Sequence, residues 1–313
     1  MKCYLHLGVH KTATSSLQKN VLETLPEQYA YLGVRYPRAT RQWPLYTSLI
    51  HAVCRAGVDE FLHDAPALRE QLEAAGREVS GDEASGGVVI SDELLSTGGE
   101  EFFGGQTTVR ERLQRLGHLL AGFELRVLVT IRRQPDAIYS LFVQKYNYLP
   151  SRYRVFETFY QASDLLAYDY AAYAEAIAED LGTRAIFLAD FHDIRSGRYL
   201  ATVARWLERD AVATQSLTQE KKREKRGGGV EIDRVSLGYR LKRLLPTGLV
   251  HLLARSRLGQ AALKPLYRRL ERVKTSRTTT LPALSPDMAA RIDRDFEASN
   301  RRLHDRYDIR WHS

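Results

Sequence analysis

Cysteine is scarce in this 313-residue chain. Cys3 and Cys54 alone exclude a disulfide scaffold and a multi-cysteine zinc site. No apolar run reaches the roughly 18 residues that a membrane-spanning helix requires. The opening MKCYLHLGVH lacks the basic stretch, the long apolar core and the small-residue cleavage site of a secretory signal, so a cytoplasmic protein is expected. No internal repeat is present. With 44% apolar and 27% charged residues, disorder over most of the chain is excluded, and the length is enough to bury a sizeable core in a single domain spanning 1–313.

Charge is present, but unevenly. The whole chain carries +8, yet residues 221–280 hold 17 Lys plus Arg against 4 Asp plus Glu, so the remainder is net acidic. The character of the sequence also changes here, and a basic, largely helical insert is expected at about 218–280. Such a segment suits peripheral contact with an anionic membrane or an acidic polymer, without specificity for nucleic acid. A solvated amphipathic face is the plainer alternative. The charge run QEKKREKRGGG at its start reads as a loop, with a flexible turn at Gly227 to Gly229.

Elsewhere the pattern alternates. Lys2 to Gly8, Gly87 to Ser91, Leu125 to Ile131 and Arg184 to Ala189 read as strands, and LRVLVTI has the continuous apolar character of a buried parallel strand. Helices are expected in SLQKNVLETL (capped by Thr14 or Ser15), over 109–120, after Pro135, over 165–179, over 199–207 and as one charged helix over 288–307. SRTTTLPALSP reads as a linker. Strands alternating with helices predict a three-layer α/β fold with a central parallel sheet.

Two loops carry anion-binding chemistry. LHLGVHKTATSSLQ places His10, Lys11, Thr12, Ala13, Thr14, Ser15 and Ser16 between a strand and a helix, offering backbone N–H groups, hydroxyls and a full positive charge. The strict GxxxxGK[ST] loop is absent, and no acid stands out as a magnesium ligand, so no metal site is expected. VLVTIRRQPDAIYSLFVQKY follows the strongest strand with Arg132, Arg133 and, eight residues after Arg132, Ser140. An arginine fork with a hydroxyl suits phosphate. Ligands of open α/β sheets gather at the carboxyl ends of the strands, so both loops are expected at one edge.

Together HKTATSSLQ and the strand–Arg–Ser segment resemble the 5′-phosphosulfate and 3′-phosphate loops of PAPS-dependent sulfotransferases, bacterial and carbohydrate-acting members in particular. Ala13 stands where that family often has glycine. VVISDELL and SNRRLHDRY are similar to further segments of the bacterial group. The resemblance covers 1 to about 215 and 285 to 310. It implies a P-loop nucleotide-hydrolase-like sulfotransferase fold, PAPS as donor and adenosine 3′,5′-bisphosphate as product. It implies that the first loop, Arg132 and Ser140 hold the nucleotide, that Lys11 neutralises charge on the bridging oxygen, and that Glu93 is the general base. Asp92 reads as a capping acid, and Asp190 and His192 as supports of the fold. His51 is the second candidate base, and Gln18, His51 and Gln144 are candidate contacts to a hydroxyl-bearing glycan, glycolipid or small molecule. Tyr146, and the aromatics Trp43 and Tyr46, are further candidates for such contacts, core or lid packing being the equal alternative for the last two. The competing readings are a P-loop kinase or nucleotide hydrolase using ATP and magnesium, and a non-catalytic anion-binding protein.

Overall fold

The computed structural model describes residues 1–33, 43–79, 86–97, 107–212 and 280–307, together with 225–226, 229–232, 236–237, 270, 273, 275, 309 and 311. Five strands form one sheet in the order β2-β3-β1-β4-β5, every neighbouring pair parallel: β1 (Lys2–Gly8), β2 (Tyr29–Gly33), β3 (Gly87–Ser91), β4 (Glu124–Ile131) and β5 (Ile186–Asp190). The expected α/β architecture with a central parallel sheet is therefore what the chain adopts.

Side-chain alternation explains why these strands read as unbroken apolar runs. On β1, Cys3, Leu5 and Leu7 enter one core with Val88, Ile90, Val127, Val129 and Ile131, whereas Tyr4 enters another with Val89, Leu128 and Ala189. Successive residues of a strand face opposite sides, so a sheet covered on both faces needs apolar residues at every position. The first core is closed by α2 (Trp43–Cys54), α3 (Val58–Val79), α4 (Val109–Leu119), α5 (Gln134–Lys145), α6 (Phe156–Ala162) and α7 (Tyr170–Leu181). The opposite core is closed by α1 (Thr14–Asn20) and α8 (Arg198–Trp206), with Leu17, Tyr199, Val203 and Trp206 buried there. Two further helices, α9 (Pro286–Asp295) and α10 (Glu297–Tyr307), add Ile292, Phe296 and Leu303 to the first core.

Several elements depart from the sequence expectation. β2 (YAYLG) carries too little β-branched character to be read as a strand, yet all five residues are buried against β3. The stretch 165–179 is helical only from Tyr170; Leu166–Tyr168 form a 3₁₀ turn, because Asp169 caps α7 by accepting the Ala172 N–H at 3.1 Å. The charged helix over 288–307 is two helices, broken at Phe296, which drops into the core. In the basic segment, Lys225–Arg226 (β6) pairs antiparallel with Gly229–Glu231 (β7), which pairs in turn with Thr280–Pro282 (β8). The charge run thus ends in a hairpin rather than a loop, and the expected linker contributes its third strand. Residues 227–228, and nearly all of the expected helical stretch 237–273, lie outside the described residues.

Strand order places the crevice. From β1 the chain passes to β2 on one side, and from β4 it passes to β5 on the other. Adjacent strands whose connections leave in opposite directions open a gap beyond their carboxyl ends. Here the gap lies between the β1 loop, which carries Lys11, and the β4 loop, which carries Arg132.

Candidate functional site

The first loop is built on unusual backbone angles. Lys11 (φ 71°) and Ala13 (φ 63°) are both left-handed. Alternating left- and right-handed residues turn successive N–H groups toward one concavity, which favours an anion. Ala13 is also the N-cap of α1 and makes no side-chain cap bond, so neither Thr14 nor Ser15 has the capping role expected of it. A left-handed alanine costs about 1–2 kcal/mol, and glycine is preferred over alanine at an N-cap. Ala13→Gly is therefore expected to stabilise the fold by about 1 kcal/mol, partly offset by the greater freedom of glycine in the unfolded chain. Urea unfolding of the two proteins checks this; a destabilised glycine variant would show that the loop is not strained at this position.

The hydroxyls of the loop divide into two sets. Thr12 donates to the Val9 carbonyl at 2.7 Å and lies 2.7 Å from Thr130 Oγ1; its Oγ1 is also 3.4 Å from Thr14 Oγ1. Both are buried, whereas Ser15 is exposed. Ser16 is buried in the first turn of α1. Beneath the loop, His6 Nδ1 lies 2.7 Å from Ser91 Oγ and Nε2 lies 3.3 Å from Thr130 Oγ1. Burial pushes the His6 imidazole down to about 4, against the attraction of Glu93, so it is neutral at physiological pH. Gln18 is buried too, and its amide donates to Ser91 O and Oγ at 3.2 and 3.0 Å, which ties it to the sheet. Gly8 sits inside this network: a Cβ there would meet Thr14 Oγ1 at 2.5 Å and His6 Nε2 and Thr130 Oγ1 at 2.9 Å.

The second loop meets the first. Arg132 Nη1 donates to the Lys11 carbonyl at 3.5 Å, and its guanidinium lies 5.0 Å over the Phe191 ring. Tyr170 braces its backbone, donating to Arg132 O at 2.6 Å and accepting from Arg132 N at 3.3 Å. Arg133 turns the other way and pairs with Asp293 on α9, while Gln134 Nε2 donates to Asn300 Oδ1 on α10 at 2.7 Å. The two adjacent arginines are thus separated by geometry: Arg132 opens on the crevice and Arg133 anchors the C-terminal helices. Ser140 and Gln144 are half-buried on α5, and Gln144 Oε1 is buried without a partner among the described residues.

The acidic turn after β3 completes the cluster. Asp92 caps it, accepting from Leu94 N at 2.8 Å and from the Tyr46 hydroxyl. Burial pushes the Asp92 carboxyl up, against these hydrogen bonds. Tyr46 is therefore a buried partner of Asp92 rather than an exposed platform for ligand. Arg112, itself buried, holds the turn by donating to Leu94 O at 2.5 Å. Glu93 points to the first loop, its Oε2 2.8 Å from His10 Nδ1. Burial pushes its carboxyl up, but the contact with His10 and the charge of Lys11 outweigh this and hold it below the ordinary carboxylate range. His51 sits elsewhere, exposed on α2 with Nε2 2.9 Å from Glu60 Oε1.

No family model matches the chain, and no curated protein matches its sequence. A solved structure is similar to it: a sulfotransferase from Alicyclobacillus acidocaldarius, at 14% identity and a TM-score of 0.40, over 71% of this chain and 87% of that one. Likeness at that level carries no residue's role across.

The donor set also bears on metal-dependent phosphate chemistry. Thr12, beside the lysine, donates its hydroxyl to a carbonyl, and both Asp92 oxygens accept hydrogen bonds from the protein. Among the described residues no group of three His, Cys, Asp or Glu could hold a metal ion. Asp190 supports the fold, accepting from His192 N at 2.9 Å and Trp311 Nε1 at 2.6 Å. The sequence singled out neither Thr97 nor Thr130. A hydroxyl four residues after Glu93 within one tight turn was the available signal for the first; nothing marked the second, whose partner is 118 positions away.

Proposed function

We propose that the chain is a PAPS-dependent sulfotransferase that transfers a sulfuryl group to a hydroxyl acceptor. The observation that carries this reading is the meeting of the two cationic loops, with Arg132 reaching the Lys11 carbonyl across the crevice between β1 and β4. Two anion sites at one rim suit a nucleotide bearing phosphate at both the 3′ and 5′ positions. Lys11 and the N–H groups of its loop would hold the 5′ end, with Ser15 the exposed hydroxyl there, and Arg132 with Ser140 the 3′ phosphate. In the transfer the acceptor oxygen bonds to sulfur as the sulfur–bridging-oxygen bond breaks. The acceptor proton passes to Glu93, and Lys11 neutralises the oxygen that leaves. Gln144 Oε1, buried without a partner among the described residues, is a hydrogen-bond acceptor suited to an incoming hydroxyl. A glycan, a glycolipid or a small molecule each presents that group, and the basic segment favours an anionic surface or polymer.

Titration with adenosine 3′,5′-bisphosphate and with ATP, each with and without magnesium, tests the reading. Metal-independent binding of the bisphosphate, weakened at least tenfold by Arg132→Ala, is expected. ATP binding that requires magnesium would point instead to a kinase or hydrolase.

A further inference from the structure

Beyond α10, Ile309 and Trp311 pack on the first core, and Trp311 rests against two elements at once. Its ring meets that of Tyr170 edge-on, at 5.7 Å between centroids and 61° between planes. Its indole N–H donates to Asp190 Oδ2 at 2.6 Å. Tyr170 opens α7 and Asp190 closes β5, so one side chain ties a helix start to a strand end.

Both of these elements hold Arg132. The Tyr170 hydroxyl donates to Arg132 O at 2.6 Å and accepts from Arg132 N at 3.3 Å, which fixes the main chain. Burial pushes the Tyr170 phenol up, so its hydrogen stays available to donate. Asp190 caps the short turn Phe191–Ile194, its Oδ1 accepting from His192 N at 2.9 Å. That turn presents the Phe191 ring, over which the Arg132 guanidinium lies at 5.0 Å. Trp311 takes the other carboxylate oxygen, so it does not compete with the cap. The guanidinium has little else to fix it. Nη1 reaches the Lys11 carbonyl only at 3.5 Å, and Nε is buried without a partner among the described residues. Its aim is set by its own main chain and by Phe191 beneath it, and Trp311 touches the support of each.

We propose that Trp311 is a positioning residue for the 3′-phosphate site, holding Tyr170 and Asp190 together so that Arg132 is aimed into the crevice before the nucleotide arrives. This rests on the sulfotransferase reading above. Trp311 acts through Arg132 and needs no contact with the nucleotide itself. An arginine already ordered in the free protein loses less freedom on binding than one gathered from several rotamers. Without Trp311 that ordering is deferred to the binding step, which weakens binding by about 2–10-fold. The loss should fall on ligands that carry the phosphate Arg132 would hold, and spare those that lack it.

The full chain is titrated calorimetrically with adenosine 3′,5′-bisphosphate and with AMP, which lacks the 3′ phosphate. The wild type should bind the bisphosphate more tightly than AMP. Trp311→Ala should weaken the bisphosphate by about 2–10-fold and leave AMP nearly unchanged, so the preference narrows. Trp311→Phe keeps a ring against Tyr170 and removes the indole donor, and it should narrow the preference in part. In an Arg132→Ala background the same substitutions should have little further effect on the bisphosphate. A merely structural role would weaken both ligands and would persist in that background. An undiminished preference in Trp311→Ala, or equal losses for the two ligands, overturns the role of Trp311 and leaves the nucleotide site standing. Should the alanine variant fail to fold, Trp311→Phe decides, and an undiminished preference there overturns the role. A wild type that binds AMP as tightly as the bisphosphate overturns the 3′-phosphate reading and the role of Trp311 with it.

Discussion

Replacing Lys11 with alanine is expected to lower kcat for sulfuryl transfer from PAPS by about 10²–10³, the loss found when one preorganised charge-stabilising donor is removed from an active site. The reason lies in the loop. Lys11 adopts a left-handed backbone whose carbonyl is held by Arg132, so the loop is braced through its main chain. Removing the charge should spare the fold and leave the bridging oxygen without its neutralising partner. Initial rates with radiolabelled PAPS, beside the circular dichroism of both proteins, provide the measurement. A variant with kcat within threefold of wild type would remove Lys11 from the chemistry.

Glu93→Gln should reduce turnover by about 10²–10⁴, the range typical of a lost general base, while bisphosphate affinity changes little. Glutamine keeps the shape of the side chain, so the packing beside His10 should persist. The pH dependence follows from the direction of the shift. The folded carboxyl is depressed below its ordinary value, burial being outweighed by His10 and Lys11. It therefore stays ionised to more acid pH than an ordinary glutamate, and activity should fall only as pH drops through the folded value. The same sign holds for stability: the contribution of Glu93 is complete above the unfolded value and is lost as pH falls through the folded one. A pH–rate profile of wild type and variant tests both points, and full turnover in Glu93→Gln would reassign the base.

What the residues revealed in advance was chiefly what depends on local pattern. The strands β1, β3, β4 and β5 carry apolar runs bounded by polar loops, and a parallel sheet buried on both faces is the arrangement that needs such runs. β2 was hidden because YAYLG relies on neighbours rather than on intrinsic preference. The edge at which Lys11 and Arg132 meet followed from the rule that loops after parallel strands share a side. Which of Arg132 and Arg133 faces the crevice did not follow, since it is decided by Asp293, 160 positions downstream. Gln18 read as a contact to the acceptor and Thr12 as a hydroxyl for the nucleotide, but their partners Ser91 and Thr130 turn them inward. The Tyr46–Asp92 contact and that of Thr97 with His10 likewise join segments distant in sequence, and no local pattern encodes such pairings.

The grip of the last two helices on the β4 loop has a consequence for biosynthesis. Arg133 and Gln134 leave the ribosome long before Asp293 and Asn300, which follow them by 160 and 166 positions. The five-stranded sheet can assemble while those partners are still untranslated. The arginine rim of the crevice therefore gains its final bracing late, and the nascent chain has its scaffold before it has its working pocket.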